Sequence, residues 1–135
     1  MIYLDSSAVI KLVRRETGSR ELLDWLAAHP ESVLISSVLV EVEVPRTIRR
    51  YAPGALARIP RVLAGLARIE IDPTIRATAA AYADSALRSL DAIHLATADL
   101  AASEGEPLEA FVAYDRRLLT AAQARGFPTA SPGLD

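Results

Sequence analysis

Hydrophobic residues follow two rhythms along this chain. Short apolar runs alternate with longer stretches in which leucine, isoleucine, valine and alanine recur every three or four positions. The first kind reads as buried strand and the second as amphipathic helix. The pattern predicts strands over Ile2–Asp5, Val33–Ser36, Arg68–Asp72 and Ala110–Tyr114, with Thr129–Ser131 as a last short edge strand. Helices are predicted over Ser7–Arg15, Glu21–Ala28, from the second strand through about Arg50, over residues 55–67, and over Thr74–Leu87, Leu90–Ser103 and Arg116–Arg125. Ser6 or Ser7 can cap the first helix and Ser89 the sixth, while Gly105 and Gly126 stand where helices stop. Pro45 falls inside the third helix and predicts a kink or a late start there.

Short apolar strands that alternate with helices imply an α/β fold whose mainly parallel sheet is covered on both faces. In such a sheet the binding crevice lies beyond the carboxyl ends of the strands. At 135 residues, 51% of them apolar, the expectation is one domain spanning 1–135 with a substantial core. No signal-peptide pattern opens the chain. The longest uncharged run, Ser32 to Val40, is far shorter than the ~20 residues that span a bilayer. The expectation is therefore a cytosolic protein without membrane attachment. The absence of cysteine excludes disulfides, thiolate metal sites and cysteine nucleophiles together.

Acidic residues punctuate the strand ends. Asp5 closes the first predicted strand, Asp72 the third and Asp115 the fourth; Glu41 and Glu43 follow the second, and Asp91 enters the sixth helix near its start. Each has a purely structural use: Asp5 and Asp115 suit helix caps, Asp91 the helix dipole, and Asp72, before Pro73, a turn. Acids gathered on one sheet edge nevertheless repel one another unless a cation neutralises them. Oxygen donors without cysteine favour Mg²⁺ or Mn²⁺ over zinc. His29, beside Pro30, and His94, in mid-helix, have no ligand spacing and read as structural. Hard ions held by carboxylates serve phosphoryl chemistry. Net charge is −2, yet fourteen of the fifteen basic residues are arginine. Six of them (Arg46, Arg49, Arg50, Arg58, Arg61 and Arg68) share a segment without an acid, which suits phosphate contact and equally an ordinary solvated helix face. The combination points to a nuclease.

Four stretches resemble the PIN-domain ribonucleases, specifically the VapC-type toxins of bacterial toxin–antitoxin pairs. They are Leu4-Asp5-Ser6-Ser7-Ala8, Ser36 through Arg46, Leu90-Asp91-Ala92-Ile93-His94-Leu95-Ala96, and Tyr114-Asp115-Arg116-Arg117-Leu118, in the family's order over nearly the whole chain. The resemblance implies a PIN-like three-layer α/β/α sandwich with four to five short strands. It implies Mg²⁺ or Mn²⁺ held by Asp5, Glu43, Asp91 and Asp115, and hydrolysis of structured RNA such as tRNA or ribosomal RNA, which would inhibit translation. It also implies a VapB-type antitoxin laid across the acidic groove, and a homodimer. Leu22, Leu23 and Leu26 offer a dimer face, or simply core. Glu41 and Glu43 are about 200° apart around a helix, so one of them faces away from any site both approach. Periodicity does not choose between them; the family's spacing of Ser37, Leu39 and Glu43 selects Glu43. Phosphate contacts fall to Arg46, Arg49 and Arg50. Where the family often has a hydroxyl, two residues before the last aspartate, this chain has Ala113, and Ser6 or Ser7 is left to supply one.

Other functions fit less well. A signalling receiver domain needs a lysine after a late strand, and the single lysine, Lys11, lies in the first helix. An aspartate-nucleophile phosphohydrolase needs an aspartate at position 7, which is serine. A non-catalytic RNA-binding or scaffold domain remains as the alternative; aromatics at 5% leave little for base stacking and favour phosphate recognition.

Overall fold

The computed structural model describes residues 1–134. Its centre is a five-stranded, all-parallel sheet of β1 (Ile2–Leu4), β2 (Leu34–Ser37), β3 (Ala67–Ile69), β4 (Ala110–Val112) and β5 (Thr129–Ala130). The spatial order is β3-β2-β1-β4-β5, so the chain winds one way from β1 to β3 and then returns to the other side of β1. The direction reverses between β1 and β4, where a parallel sheet opens a crevice at its carboxyl edge. Ile2 pairs with both Leu34 and Ala110, and Tyr3 with both Ile35 and Phe111.

The two-residue period of the strands divides the interior. Ile2, Leu4, Ala110 and Val112 face one apolar layer with Val9 and Val13 of α1 (Ser6–Val13), Leu22 of α2 (Ser19–Ala27), Val44 and Ile48 of α3 (Val40–Tyr51), and Leu63 of α4 (Ile59–Ala64). Tyr3, Ile35 and Phe111 face the opposite layer with Leu95 and Ala98 of α6 (Ser89–Glu104) and Leu118 of α7 (Arg116–Ala124). Against α6 packs α5 (Pro73–Ala81). This is the expected α/β/α sandwich. Among the described residues no helix is long and apolar enough to cross a membrane.

Several predicted boundaries move, each for a local reason. The segment 55–67 is not one helix: a 3₁₀ turn over Pro53–Arg58 gives way to α4, and β3 already begins at Ala67. Pro60 has no N–H to donate backwards, so the α-helix restarts at Ile59 with Pro60 in its first turn, where no partner is needed. Pro45 has the opposite outcome. Helix α3 runs through it from Val40, forgoing one backbone bond at solvent-exposed Glu41. β3 stops at Ile69, so Asp72 does not end a strand; its carboxylate caps α5 by accepting the Ile75 amide at 2.8 Å. That helix ends at Ala81 rather than Leu87, and the Asp84 side chain instead accepts the Ala86 amide in a local turn. Ser89 is the first residue of α6 rather than its cap, since Arg88 occupies the cap position, without a side-chain capping bond. The first helix is capped by Asp5 rather than by Ser6 or Ser7. Gly126 ends α7 at φ +85°, where its amide reaches the Gln123 carbonyl and the Phe127 amide reaches Ala122, a geometry that favours glycine.

Phe111 is fully buried and stacked between Tyr3 and Phe127, at centroid distances of 5.1 and 6.4 Å. Phe111→Ala is expected to lower unfolding stability in urea by about 3–5 kcal/mol, while Val33→Ala on the surface changes it by less than about 0.5 kcal/mol.

Candidate active site

The pocket is built from chain reversals at the carboxyl edge of the sheet. Directly after β1, Asp5 turns the chain into α1: its Oδ1 accepts the Ala8 amide at 3.0 Å and the Ser7 hydroxyl at 2.6 Å. The same device follows β4. Asp115 Oδ1 accepts the amides of Arg117 and Leu118 at 2.9 and 3.1 Å and so opens α7. Each aspartate thus commits one oxygen to a helix start and keeps Oδ2 outside the cap. The structural use and the functional one do not compete, because a carboxylate has two oxygens.

Glu43 and Asp91 arrive from the first turns of α3 and α6. With Asp5 and Asp115 they line one open pocket, together with Ser6, Ser7, Thr47, Arg88, His94 and Tyr114. Residues 110 positions apart along the chain therefore share one cavity. Glu41 does not join them: it points outward and pairs with Arg68 at 3.2 Å, which also removes Arg68 from the free basic residues. Asp72 is likewise absent from the lining. Arg46, Arg49 and Arg50 are exposed on α3 and make no ion pair among the described residues. Ala113 is buried in the apolar layer beneath α7, so the departure from the family's hydroxyl falls in the core. Both N-terminal serines serve carboxylates, Ser7 on Asp5 and Ser6 on Glu43. Of the three leucines on α2, Leu22 is core, Leu26 packs against it and Leu23 is exposed.

Among the lining residues that the sequence left without a role are His94, Thr47 and Arg88. His94, 2% exposed, places Nε2 at 2.9 Å from Glu43 Oε1 and 3.0 Å from Ser6 Oγ. The signal was its spacing: three residues after Asp91 on a helix is the same face. Thr47, one turn after Glu43, follows the same rule. Arg88 comes from the loop before α6 and gave no pattern; its guanidinium lies 3.3 Å from Asp91 Oδ2 and 3.6 Å from Asp115 Oδ2.

Electrostatically the pocket sets four carboxylates against one largely solvent-exposed guanidinium. Burial pushes the Asp5 carboxyl above its ordinary range; His94 and the bonds from Ser7 and Ala8 oppose this, and the Asp91 charge adds to it. Glu43 goes the other way. Burial raises it too, but the hydrogen bonds from His94 and Ser6 outweigh burial and hold it below the usual carboxylate value. Burial, with Asp5 adding, pushes the neighbouring Tyr114 phenol up to about 12.

The donor chemistry fits a hard divalent cation. All four acids offer oxygen, the chain has no thiol, and Asp5 and Asp115 keep an oxygen outside their caps. Among the described residues no three acids or histidines form a ready-made ligand set, so a shared ion would need water to complete its shell, as Mg²⁺ commonly does.

Asp5 yields a stability test without any metal. Its folded-state pKa lies above the unfolded value, so the native chain loses stability as pH rises through that raised value. Asp5→Asn keeps a capping oxygen and removes the charge. Thermal unfolding in chelator should show the variant more stable than wild type at neutral pH, with the gap closing below the ordinary carboxylate range. A gap that widens towards acid would contradict the desolvation account.

Comparison with known proteins identifies the family. The family model "PIN domain" matches residues 2–124. The chain is 53% identical over 133 residues to "Ribonuclease VapC35" of Mycobacterium tuberculosis, covering 98% of each protein. It is 41% identical over 136 residues to "Ribonuclease VapC47" of the same species, again covering 98% of each. The fold resembles the crystal structure of M. tuberculosis VapC20, described as a sarcin-ricin loop cleaving toxin. The TM-score is 0.73 over 98% of this chain and 100% of that one, at 17% identity. The matched family, the relatives and the all-parallel sheet agree: the chain belongs to the PIN-domain family, among its VapC-type ribonuclease toxins.

Proposed function

We propose that this chain is a divalent-metal-dependent endoribonuclease that cuts structured RNA, tRNA or ribosomal RNA, and is neutralised by a VapB-type antitoxin covering the acidic groove. The observation that carries the reading is the convergence of Asp5, Glu43, Asp91 and Asp115 on one pocket. These four residues would hold Mg²⁺ or Mn²⁺. Held there, such an ion would supply charge neutralisation for the carboxylates and Lewis-acid chemistry towards the scissile phosphate and a water.

The rest of the chemistry is the protein's own. Ser7 and the Ala8 amide orient Asp5, and Ser6 and His94 orient Glu43. Around α3, Arg50 lies about 20° and Arg46 about 60° from Glu43, whereas Arg49 is about 120° away. Thr47 lies in the pocket lining and marks that face as the one beside the site. Arg50 and Arg46 are therefore the phosphate contacts this reading favours, and Arg49 is demoted. A homodimer belongs to the same reading, with Leu23 the apolar side chain exposed for it on α2.

Purified chain incubated with total RNA and Mg²⁺ or Mn²⁺ should yield discrete fragments that chelator abolishes. Glu43→Gln, Asp91→Asn and Asp115→Asn should each slow cleavage by roughly 10²-fold or more, while Glu41→Gln stays near wild type. Metal-independent binding without fragments would favour the non-catalytic reading instead. Arg50→Ala should weaken RNA binding and reduce the salt dependence of log K by about one charge, with Arg49→Ala having the smaller effect. Equal losses from the two would remove the assignment of that helix face.

A further inference from the structure

We propose that His94, held by Tyr3, is a positioning residue: it dictates which oxygen of Glu43 is committed to the protein and sets the spacing between the acids of α3 and α6. The inference rests on the metal-site reading above only for its consequence, not for its geometry.

The strand period aims Tyr3 at α6, away from the layer that receives Ile2 and Leu4. Its ring is fully buried and stacked on Phe111 with planes 6° apart, so the phenol has little rotational freedom. The hydroxyl meets His94 Nδ1 at 2.7 Å, and the imidazole stands edge-on to the ring at 79°. At the far side of the imidazole, Nε2 faces Glu43 Oε1 and Ser6 Oγ. The Ser6 proton is already given to Glu43, at 2.6 Å, and a carboxylate has none to give. Nε2 therefore carries a hydrogen for Glu43, and Nδ1 pairs with the Tyr3 hydroxyl on the other side of the ring.

The consequence is directional. Oε1 of Glu43 receives two donors, leaving Oε2 for whatever the pocket binds. Because His94 sits one turn after Asp91, its bond to Glu43 also ties the Asp91 helix to the Glu43 helix. Tyr3 from β1, Ser6 from α1, Glu43 from α3 and His94 from α6 meet at one node, on the side of the pocket away from solvent. Outer partners of this type commonly change metal affinity 10–100-fold when removed.

The test has two arms on the full chain. In ¹⁵N-labelled protein, side-chain histidine spectra should show the Nε2–H form at His94, and Tyr3→Phe should shift Nδ1. Mn²⁺ titration by electron spin resonance should give His94→Gln, whose amide can reproduce the Nε2 donor, an affinity within about threefold of wild type. His94→Leu should lose about tenfold or more, with thermal unfolding run alongside. Where His94→Leu does not fold, Tyr3→Phe should show a smaller loss in the same direction. A wild-type chain that takes up no Mn²⁺ would sink the metal reading and leave this one to the Glu43 carboxyl ¹³C resonance, which should move in His94→Leu and not in His94→Gln. An imidazole with its hydrogen on Nδ1 and none on Nε2, or His94→Leu binding Mn²⁺ as tightly as wild type, overturns the proposal.

Discussion

One carboxylate oxygen of Asp5 closes the first turn of α1, and the other stays outside the cap, in the open pocket shared with three further acids. That second oxygen is the constraint on which the structure turns. Desolvating a carboxylate among like charges raises its energy in the folded state; burial, with the Asp91 charge adding, pushes the Asp5 carboxyl upward. A fold optimised for stability alone would keep the cap as asparagine or serine and lose nothing at the helix start. Retaining a charge there is sensible where a cation offsets it.

The sheet makes that gathering possible. Winding outward from β1 to β3 and returning to β4 puts two strand-to-helix reversals side by side at the switch point, and both reversals use aspartate. The helices on either face then each lower one acid into the gap from a first turn. The same alternation that separates Ile2 and Leu4 from Tyr3 sends a phenol towards α6, so the buried hydrogen-bond node behind Glu43 is a by-product of ordinary strand packing. Apolar layering and polar site are set by one periodicity.

Much of this could be read from the residues because the relevant signals are local. A carboxylate between an apolar run and a helical pattern carries strand end and cap in five letters, which is why Asp5 and Asp115 stood out. Asp91 was visible as an acid at a helix start. Glu43 was separable from Glu41 only by family spacing, since two residues on a helix give opposite faces without saying which face is inward. The strand end expected at Asp72 went astray because strand length is set by pairing: β3 ends with the register of Ser37 and Ile69, two residues before its alternating pattern does. The split at residues 53–64 lay in Pro60 but needed its position within a turn to be known. Arg88 was invisible because it reaches the acids from a loop, and His94 looked like core because it is core, with one nitrogen at the edge of the pocket.

The claim that four distant acids form one cation site is tested most directly by a crystal of this chain grown with Mn²⁺ and measured at the manganese absorption edge. An anomalous peak is expected in the pocket between β1 and β4, contacted by Asp5 and at least one of Glu43, Asp91 and Asp115. A fully ordered pocket with no peak at saturating Mn²⁺, or a peak only elsewhere on the surface, would contradict it.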